Sequence, residues 1–338
     1  MGSLAIVTAA LLDKRLADPD GFLGPSWIRL PLLVSGALLA DLLPRTLWLS
    51  RGRPRRMREV AMGRLRSHWS RERITLVVMG IVCFYITYVS YRNLKSFLPF
   101  VSEKKYDYEL HLVDQALMLG HEPGEVLHHL LGTQVAAHFL SAIYLWFLPL
   151  VPLAVTAWLV WSRNISYGYW FVTSQCIAWS LGTLSYYMLP TLGPGFAYPW
   201  LYEDLSRTPT TDLMDSLFNA RVRVTLEGIE GAVQSTAGFA SLHCAITLLV
   251  ALMVQYTVRS RAVRWTFWVN FAVTMVATIY FGWHYIADDV AGILIALLAF
   301  YLGGLASGQK FDHHGLASHP TASSDEHAVG SGERITTL

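Results

Sequence analysis

Charged residues are scarce in this chain of 338 residues, in which Asp, Glu, Lys and Arg together make up 15% of the sequence. A soluble domain carries roughly 25% of these residues, so the chain lacks the polar surface needed to cover a globule of its size. A soluble enzyme and a disordered protein are therefore both disfavoured. The net charge is only +2 and no basic domain stands apart, which argues against a nucleic-acid-binding protein as well.

Cysteine is also rare, and its placement excludes two further classes of protein. Cys83, Cys176 and Cys244 are the three cysteines; all lie in apolar stretches and none forms a CxxC motif. We expect them to pack as small apolar side chains. The sequence thus predicts neither a disulfide framework nor a cysteine-based zinc site.

The chain is rich instead in apolar and aromatic residues, with 53% hydrophobic residues, 12 Trp, 16 Tyr and 15 Phe. Seven stretches are long enough, at about 1.5 Å per residue, to cross a hydrocarbon layer of about 30 Å. They are 28–49, 74–91, 136–161, 169–190, 240–257, 265–283 and 285–306. In the first, Asp41 and Arg45 stand one helical turn apart and can neutralise each other. These features predict an all-α, polytopic helical membrane protein.

The segments outside these stretches complete the predicted organisation. Residues 1–27 read as an interfacial segment rather than a cleavable signal peptide. Residues 28–73 form one accessory transmembrane helix with a basic loop, and 74–306 hold the other six helices. The remainder, 307–338, is rich in Ser, Gly, His and Thr, which predicts a disordered tail.

The basic residues predict the orientation in the membrane. Residues 51–73 contain nine arginines, and such a cluster belongs in the cytoplasm by the positive-inside rule. Counting spans from there also places the tail in the cytoplasm, and it places the long connections 92–135 and 191–239 on the extracytoplasmic face. Long connections commonly carry function.

The first long connection contains a predicted helix and a group of histidines. Apolar residues recur at helical spacing from Tyr106 to Met118, with Gly120 as a stop signal, which indicates a helix on the membrane surface or capping the bundle. The histidines of this connection are His111, His121, His128 and His129. Their spacing is not that of a regular metal site, so we interpret them as solvated or capping residues and predict no metal.

Ionisable residues at the entrances of two spans are the strongest candidates for a site. His284 and Asp288 lie one helical turn apart, so the carboxylate can accept a hydrogen bond from the imidazole and activate its other nitrogen. His243 precedes His284 by 41 residues: one span down, a basic turn and one span up. Both histidines should therefore reach the same membrane face. Asp289, about 100° round the helix, should miss His284. Ionisable groups at such depths in a membrane indicate a functional site, which at this point can be either a catalytic site or a path for protons or ions.

Two motifs carry a resemblance to a known family. A-S-L-H at 240–243 and H-Y-I-A-D-D-V-A-G at 284–292 resemble signatures of the type 2 phosphatidic acid phosphatase superfamily, most closely its inositolphosphotransferase branch, which includes inositol phosphorylceramide and sphingomyelin synthases. The resemblance implies a six-helix catalytic core over 74–306 plus one N-terminal transmembrane helix. It also implies that His284 attacks phosphorus, Asp288 orients it and His243 protonates the leaving oxygen, with no metal or cofactor.

Three departures separate the chain from the phosphatase branch of that family. Thr278 stands where that branch has an arginine, A-S-L-H replaces P-S-G-H, and a K-x6-R-P signature is absent. The Pro/Gly-rich stretch 189–196 resembles the inositolphosphotransferase branch instead.

The oxygens of a pentacoordinate phosphorus need positive partners. The candidates are Arg92 and Lys95 after the second span, Arg221 and Arg223 in the second long connection, and backbone amides near Ser241. Each has a structural alternative: Arg92 and Lys95 can snorkel to lipid phosphates, Arg221 and Arg223 can be exposed charges, and Ser241 can be a helix cap.

Three functions remain open. The first is a phosphotransferase with an outward-facing site, which moves a phosphoryl-linked headgroup from a lipid donor to a lipid or polyol hydroxyl. The second is a phosphatase of lipid phosphates or polyprenyl diphosphates, with water as acceptor. The third is a proton-coupled transporter, although the ionisable residues gather at one face and the chain shows no inverted repeat. The predicted partners are phospholipid or polyprenyl-phosphate substrates and membrane lipids, with no nucleic acid.

Overall fold

A computed structural model describes residues 1–17, 26–227, 238–312 and 315–317. The helices are α1 (Gly2–Leu11), α2 (Ser26–Ser50), α3 (Pro54–His68), α4 (Arg71–Val101), α5 (Asp107–Leu117), α6 (Pro123–Leu131), α7 (Val135–Thr156), α8 (Ile165–Met188), α9 (Pro194–Ala197), α10 (Pro209–Glu227), α11 (Leu242–Thr257), α12 (Arg261–Tyr280) and α13 (Ile286–Ala306). A π-helical turn, Ala157–Trp161, continues α7, and a 3-10 turn, Pro199–Tyr202, follows α9. The predicted all-α, polytopic fold is confirmed.

Each predicted span coincides with a helix, but the helices differ in length and apolarity. Five of the helical stretches in the described part are long and apolar enough to cross a membrane: Ile28–Ser50, Arg71–Val101, Val135–Trp161, Arg261–Tyr280 and Ile286–Ala306. The other two predicted spans correspond to α8 and α11. The first carries Ser, Thr and Gln among its apolar residues, and the second has 16 residues, or about 24 Å. The prediction of seven spans thus holds for five.

The described residues fall into two compact units. The first comprises 1–23, 85–151 and 175–299, and the second comprises 24–84, 152–174 and 300–338, each within the described ranges. The core of the first unit gathers Leu140 and Tyr144 of α7 with Tyr280, Phe281 and Trp283 at the end of α12. All of the predicted site residues belong to this first unit.

The acidic residue of the first span is buried in the second unit. Asp41 is buried and lies 3.5 Å from Arg45, as predicted. Its nearer partner is Arg64 of α3, whose Nε and Nη2 donate to the two carboxylate oxygens at 2.8 and 2.9 Å. Trp69 Nε1 donates to the same carboxylate at 3.0 Å. Asp41 therefore fixes α3 against α2.

Predictions were also made for the first long connection and for the two ends of the chain. The predicted surface helix is confirmed as α5, and Gly120 beyond it has a φ of +91°. Helix α1 packs two alanines against α4 and α10; the interfacial location of residues 1–27 stays a prediction. At the start of the predicted tail, strands β1 (Lys310–Asp312) and β2 (Gly315–Ala317) pair antiparallel; the disorder of 307–338 stays a prediction. Residues 318–338 lie outside the described part.

Replacing Asp41 by Asn should lower the melting temperature strongly, because two guanidinium groups lose their buried counter-charge. The expected loss is about 3 kcal/mol of unfolding free energy. Asp212→Asn is the matched control, since Asp212 pairs with Arg207 at 2.7 Å while both side chains are exposed, by 56% and 79%. Thermal unfolding of both variants in one detergent checks the contrast. Equal melting temperatures for the two variants would contradict it.

Candidate active site

A buried histidine–aspartate pair lies where α12 turns into α13. The Nδ1 of His284 is 3.2 Å from Oδ2 of Asp288, and the backbone N–H of Tyr285 donates to the same oxygen at 3.0 Å. An ionised carboxylate only accepts hydrogen bonds, so Nδ1 carries the proton and Nε2 presents a lone pair. The pairing expected from the spacing of these two residues is present.

The local sequence explains how this pair forms. Helix α12 ends at Tyr280, and Gly282 takes a φ of +69°, which favours glycine, to turn the chain. His284 and Tyr285 then precede α13, whose first turn contains Asp288. The turn thus folds the imidazole back over its own helix start.

His243 occupies an aromatic slot near the beginning of α11. Its ring stacks on Tyr144 at a centroid distance of 4.3 Å and lies 4.1 Å from the ring of Phe147. Tyr144 stacks in turn on Trp283 at 5.3 Å. His243 is close enough to His284 and Lys95 for their charges to interact. His243 and His284 thus lie within electrostatic range of each other, and the shared membrane face expected from the span count stays a prediction.

The start of α11 contacts α13 through the backbone. Ser241 Oγ accepts from the N–H of Cys244 at 3.3 Å, so this side chain caps the helix, and Ser241 N donates to the carbonyl of Asp288 at 3.0 Å. A Cβ added at Gly292 would lie 2.5 Å from the carbonyl oxygen of Ser241. The glycine therefore permits a close approach of α13 that any side chain would block.

The second carboxylate of the motif has its own partner. Asp289 is buried and accepts a hydrogen bond from Thr278 Oγ1 at 2.8 Å. The position at which the phosphatase branch has an arginine is thus occupied by a neutral donor that holds a carboxylate. Asp289 is linked to α12, in agreement with the expectation that it does not pair with His284.

Two carboxylates of α5, which the sequence analysis did not identify, support the site. Asp107 accepts from the backbone N–H groups of Leu192 and Gly193, at 2.9 and 3.0 Å, and from the hydroxyl of Tyr285 at 3.1 Å. Asp114 accepts from Ile286 N, the first residue of α13, at 3.1 Å. The only available signal was their spacing of two helical turns on α5. Together they hold the segment that carries His284.

Burial shifts the ionisation of these two side chains. It raises the pKa of Asp107 above its ordinary value. It also raises the pKa of Asp114 to about 7, with like charges at Asp288 and Glu122 adding to the rise and the hydrogen bond from Ile286 opposing it.

The predicted phosphate-binding cations are placed unequally. The Nζ of Lys95 lies 5.7 and 5.5 Å from the ring centroids of Tyr91 and Tyr186. Its charge interacts with that of His243. Arg92 donates to the hydroxyl of Tyr88 at 2.9 Å.

The two arginines of the second long connection lie on α10. Arg221 is half-buried and interacts with the charge of Asp107, whereas Arg223 is exposed. Lys95 and Arg221 are thus the cations directed towards the site.

The histidines of the first connection have structural contacts. His111 Nδ1 lies 3.3 Å from Glu122 and its ring stacks on Tyr198. The Nε2 of His128 is 2.8 Å from the carbonyl of Tyr280, and His121 and His129 are exposed. Within the described ranges, no group of three or more His, Cys, Asp or Glu side chains is arranged to hold a metal ion.

Comparison with known proteins identifies the family. The sequence profile of the PAP2 superfamily matches residues 108–302, which is more than half of the chain and includes both histidine motifs. The chain belongs to the PAP2 superfamily, whose general chemistry is that of phosphatases and phosphotransferases. No curated protein and no solved structure matches the chain.

Replacing Asp114 by Asn should stabilise the protein in mildly alkaline solution. A raised folded-state pKa means that ionisation destabilises the fold as pH rises from about 4 to about 7, with the full penalty above that range. Asn is neutral and keeps an oxygen to accept from Ile286. We expect a higher melting temperature than wild type near pH 8, a smaller gain near pH 5 and no difference near pH 3, measured by thermal unfolding across pH. Asp114→Ala, which lacks the acceptor, should be less stable than Asp114→Asn throughout.

Proposed function

We propose that this PAP2 superfamily protein is a membrane-embedded phosphotransferase that moves a phosphoryl-linked headgroup between lipid or polyol substrates. The observation that supports it best is the buried His284–Asp288 pair beside His243. A nucleophile, its orienting carboxylate and a second imidazole within electrostatic range are the parts that two-step phosphoryl transfer needs.

In the first step, Nε2 of His284 attacks phosphorus and forms a P–N bond. The bond from phosphorus to the leaving oxygen breaks, and a protonated His243 gives its proton to that oxygen. Asp288 stabilises the positive charge that develops on the imidazole of His284. The product of this step is a phosphohistidine with a neutral His243.

In the second step, the neutral His243 takes the proton from the acceptor hydroxyl. The acceptor oxygen attacks phosphorus, the P–N bond breaks, and His284 returns to its starting state. This scheme uses the chain's own side chains and invokes no metal or cofactor.

The phosphoryl oxygens would be bound by Lys95 and Arg221, with Arg92, Arg223 and the amides near Ser241 at the margin. The indole N–H of Trp283 is a further donor. It is buried, follows directly on the turn at Gly282, and has no hydrogen-bond partner among the residues described. A donor without a partner in a low-dielectric site is well suited to an incoming oxyanion.

The aromatic slot around His243 favours transfer over hydrolysis. Its imidazole lies between the rings of Tyr144 and Phe147, which limit the access of water to the base. Hydrolysis of a lipid phosphate or polyprenyl diphosphate by the same residues is the second candidate, because the family includes phosphatases. The family match also favours both over the proton-coupled transporter.

We further propose that the site faces away from the cytoplasm and that the C-terminal tail is cytoplasmic. The support is the nine arginines between residues 51 and 73, which border two candidate spans and which the positive-inside rule assigns to the cytoplasm.

His284→Ala should abolish turnover and the acid-labile phosphoenzyme, with a loss on the order of 10³-fold or more. Asp288→Asn should slow the reaction to a similar degree, because the imidazole loses its orienting acceptor. Asp289→Asn, at the adjacent position, is the matched control. Its turnover should fall much less, since Asp289 pairs with Thr278. Initial rates, and labelling with a lipid radiolabelled in its transferred headgroup followed by an alkaline quench, check the series, and loss of the label in acid identifies the P–N bond. A His284→Ala enzyme with near-normal rates would refute the nucleophile assignment.

Incubation with labelled phospholipids, with and without polyol and lipid acceptors, should give a new phosphodiester whose formation depends on the acceptor. Free phosphate as the sole product, at a rate indifferent to acceptor, would establish the hydrolase instead. Tyr144→Ala should move the product ratio towards free phosphate if the aromatic slot excludes water, whereas Tyr144→Phe should keep the wild-type ratio.

A further inference from the structure

We propose that the outward face of α3 binds the headgroups of anionic phospholipids at the membrane surface. We call this the α3 arginine face, and it consists of Arg55, Arg56, Arg58 and Arg66. It lies in the second unit and is independent of the proposed catalytic function.

Helix α3 has two distinct faces. Half-buried side chains recur at helical spacing along one of them: Met57, Val60, Ala61, Arg64, Leu65 and His68. All four members of the α3 arginine face are exposed on the other, together with a single acidic residue, Glu59. The helix therefore presents an apolar and ion-paired side inward and a strongly cationic side outward.

The inward side fixes the helix so that it cannot roll. Arg64 makes its two hydrogen bonds to the buried Asp41, and His68 Nε2 lies 2.7 Å from the carbonyl oxygen of Val160. Trp69, the residue after the helix, adds its bond to Asp41. The guanidinium groups of the other face are held outward by these contacts.

An open depression in the surface at the beginning of α3 is bordered by three arginines. Its volume is about 590 Å³, and Arg53, Pro54, Arg55, Arg56 and Glu59 line it. Three positive charges against one negative charge favour an anion. Guanidinium binds phosphate oxygens in a bidentate manner, so a phosphodiester is the ligand chemistry that fits.

The position of α3 in the chain identifies the source of that phosphodiester. Candidate spans end at Ser50 and begin at Arg71, only a few residues from either end of α3. The helix is therefore tethered at both ends to the boundary of the hydrocarbon layer, where anionic headgroups are concentrated. A lipid headgroup is thus the occupant we infer, rather than a soluble anion.

The test compares binding of phosphatidylglycerol and phosphatidylcholine to the full-length protein in neutral detergent, by native mass spectrometry. Wild type should bind phosphatidylglycerol in preference. Arg55→Gln/Arg56→Gln should weaken that binding by about 10-fold or more, given the attraction of each basic residue to an anionic surface, whereas Arg55→Lys/Arg56→Lys should retain most of it.

Arg259→Gln/Arg261→Gln is the matched control, because it removes two exposed arginines between α11 and the start of α12, and it should weaken phosphatidylglycerol binding much less. Unaltered binding in Arg55→Gln/Arg56→Gln, or an equal loss in the control, would overturn the proposal. Displacement of the lipid by an equal concentration of inorganic phosphate would overturn it too, since the face would then select a soluble anion.

Discussion

One carboxylate oxygen organises the candidate site. Oδ2 of Asp288 accepts from both the imidazole of His284 and the backbone of Tyr285, so side chain and main chain are fixed by the same atom. The other oxygen, Oδ1, is buried without a hydrogen-bond partner in the described part of the chain. The carboxylate is thereby committed to orienting the histidine. If Oδ2 moved, the tautomer of the ring and the turn that presents it would be lost together.

A second constraint is the number of buried acids around that atom. Asp107 accepts hydrogen bonds from Leu192 N, Gly193 N and the Tyr285 hydroxyl, and Asp114 accepts one from Ile286 N. The charges of both interact with that of Asp288. Ionised carboxylates repel an incoming phosphate unless positive charges and hydrogen-bond donors offset that repulsion. Lys95, Arg221 and the indole of Trp283 are the groups proposed to bind it. The side chains that hold the site together are therefore mainly buried carboxylates, whereas its positive charge comes from Lys95 and Arg221.

The sequence predicted what depends on local spacing or on counting spans. The His284–Asp288 pair follows from a separation of four residues, and the approach of His243 follows from one span down and one up. Asp107 and Asp114 could not be predicted, because each binds backbone groups more than 80 residues away in the chain, and such contacts leave no periodic pattern. Helix α3 was missed because its arginines conceal a short apolar stripe. The partners of Asp41 show the same limit: Arg45 is local and was foreseen, while the nearer Arg64 was not.

The close approach at Gly292 has a consequence for how this protein can vary. Because the main chains of α11 and α13 meet there, the distance between the two helix starts that carry His243 and Asp288 is limited by backbone contact. Leu294, Leu297 and Leu298 farther along α13 are exposed and take no part in that contact. The outer surface of this helix can therefore diverge to suit bilayers of different thickness or composition while the spacing of the two helix starts stays constant.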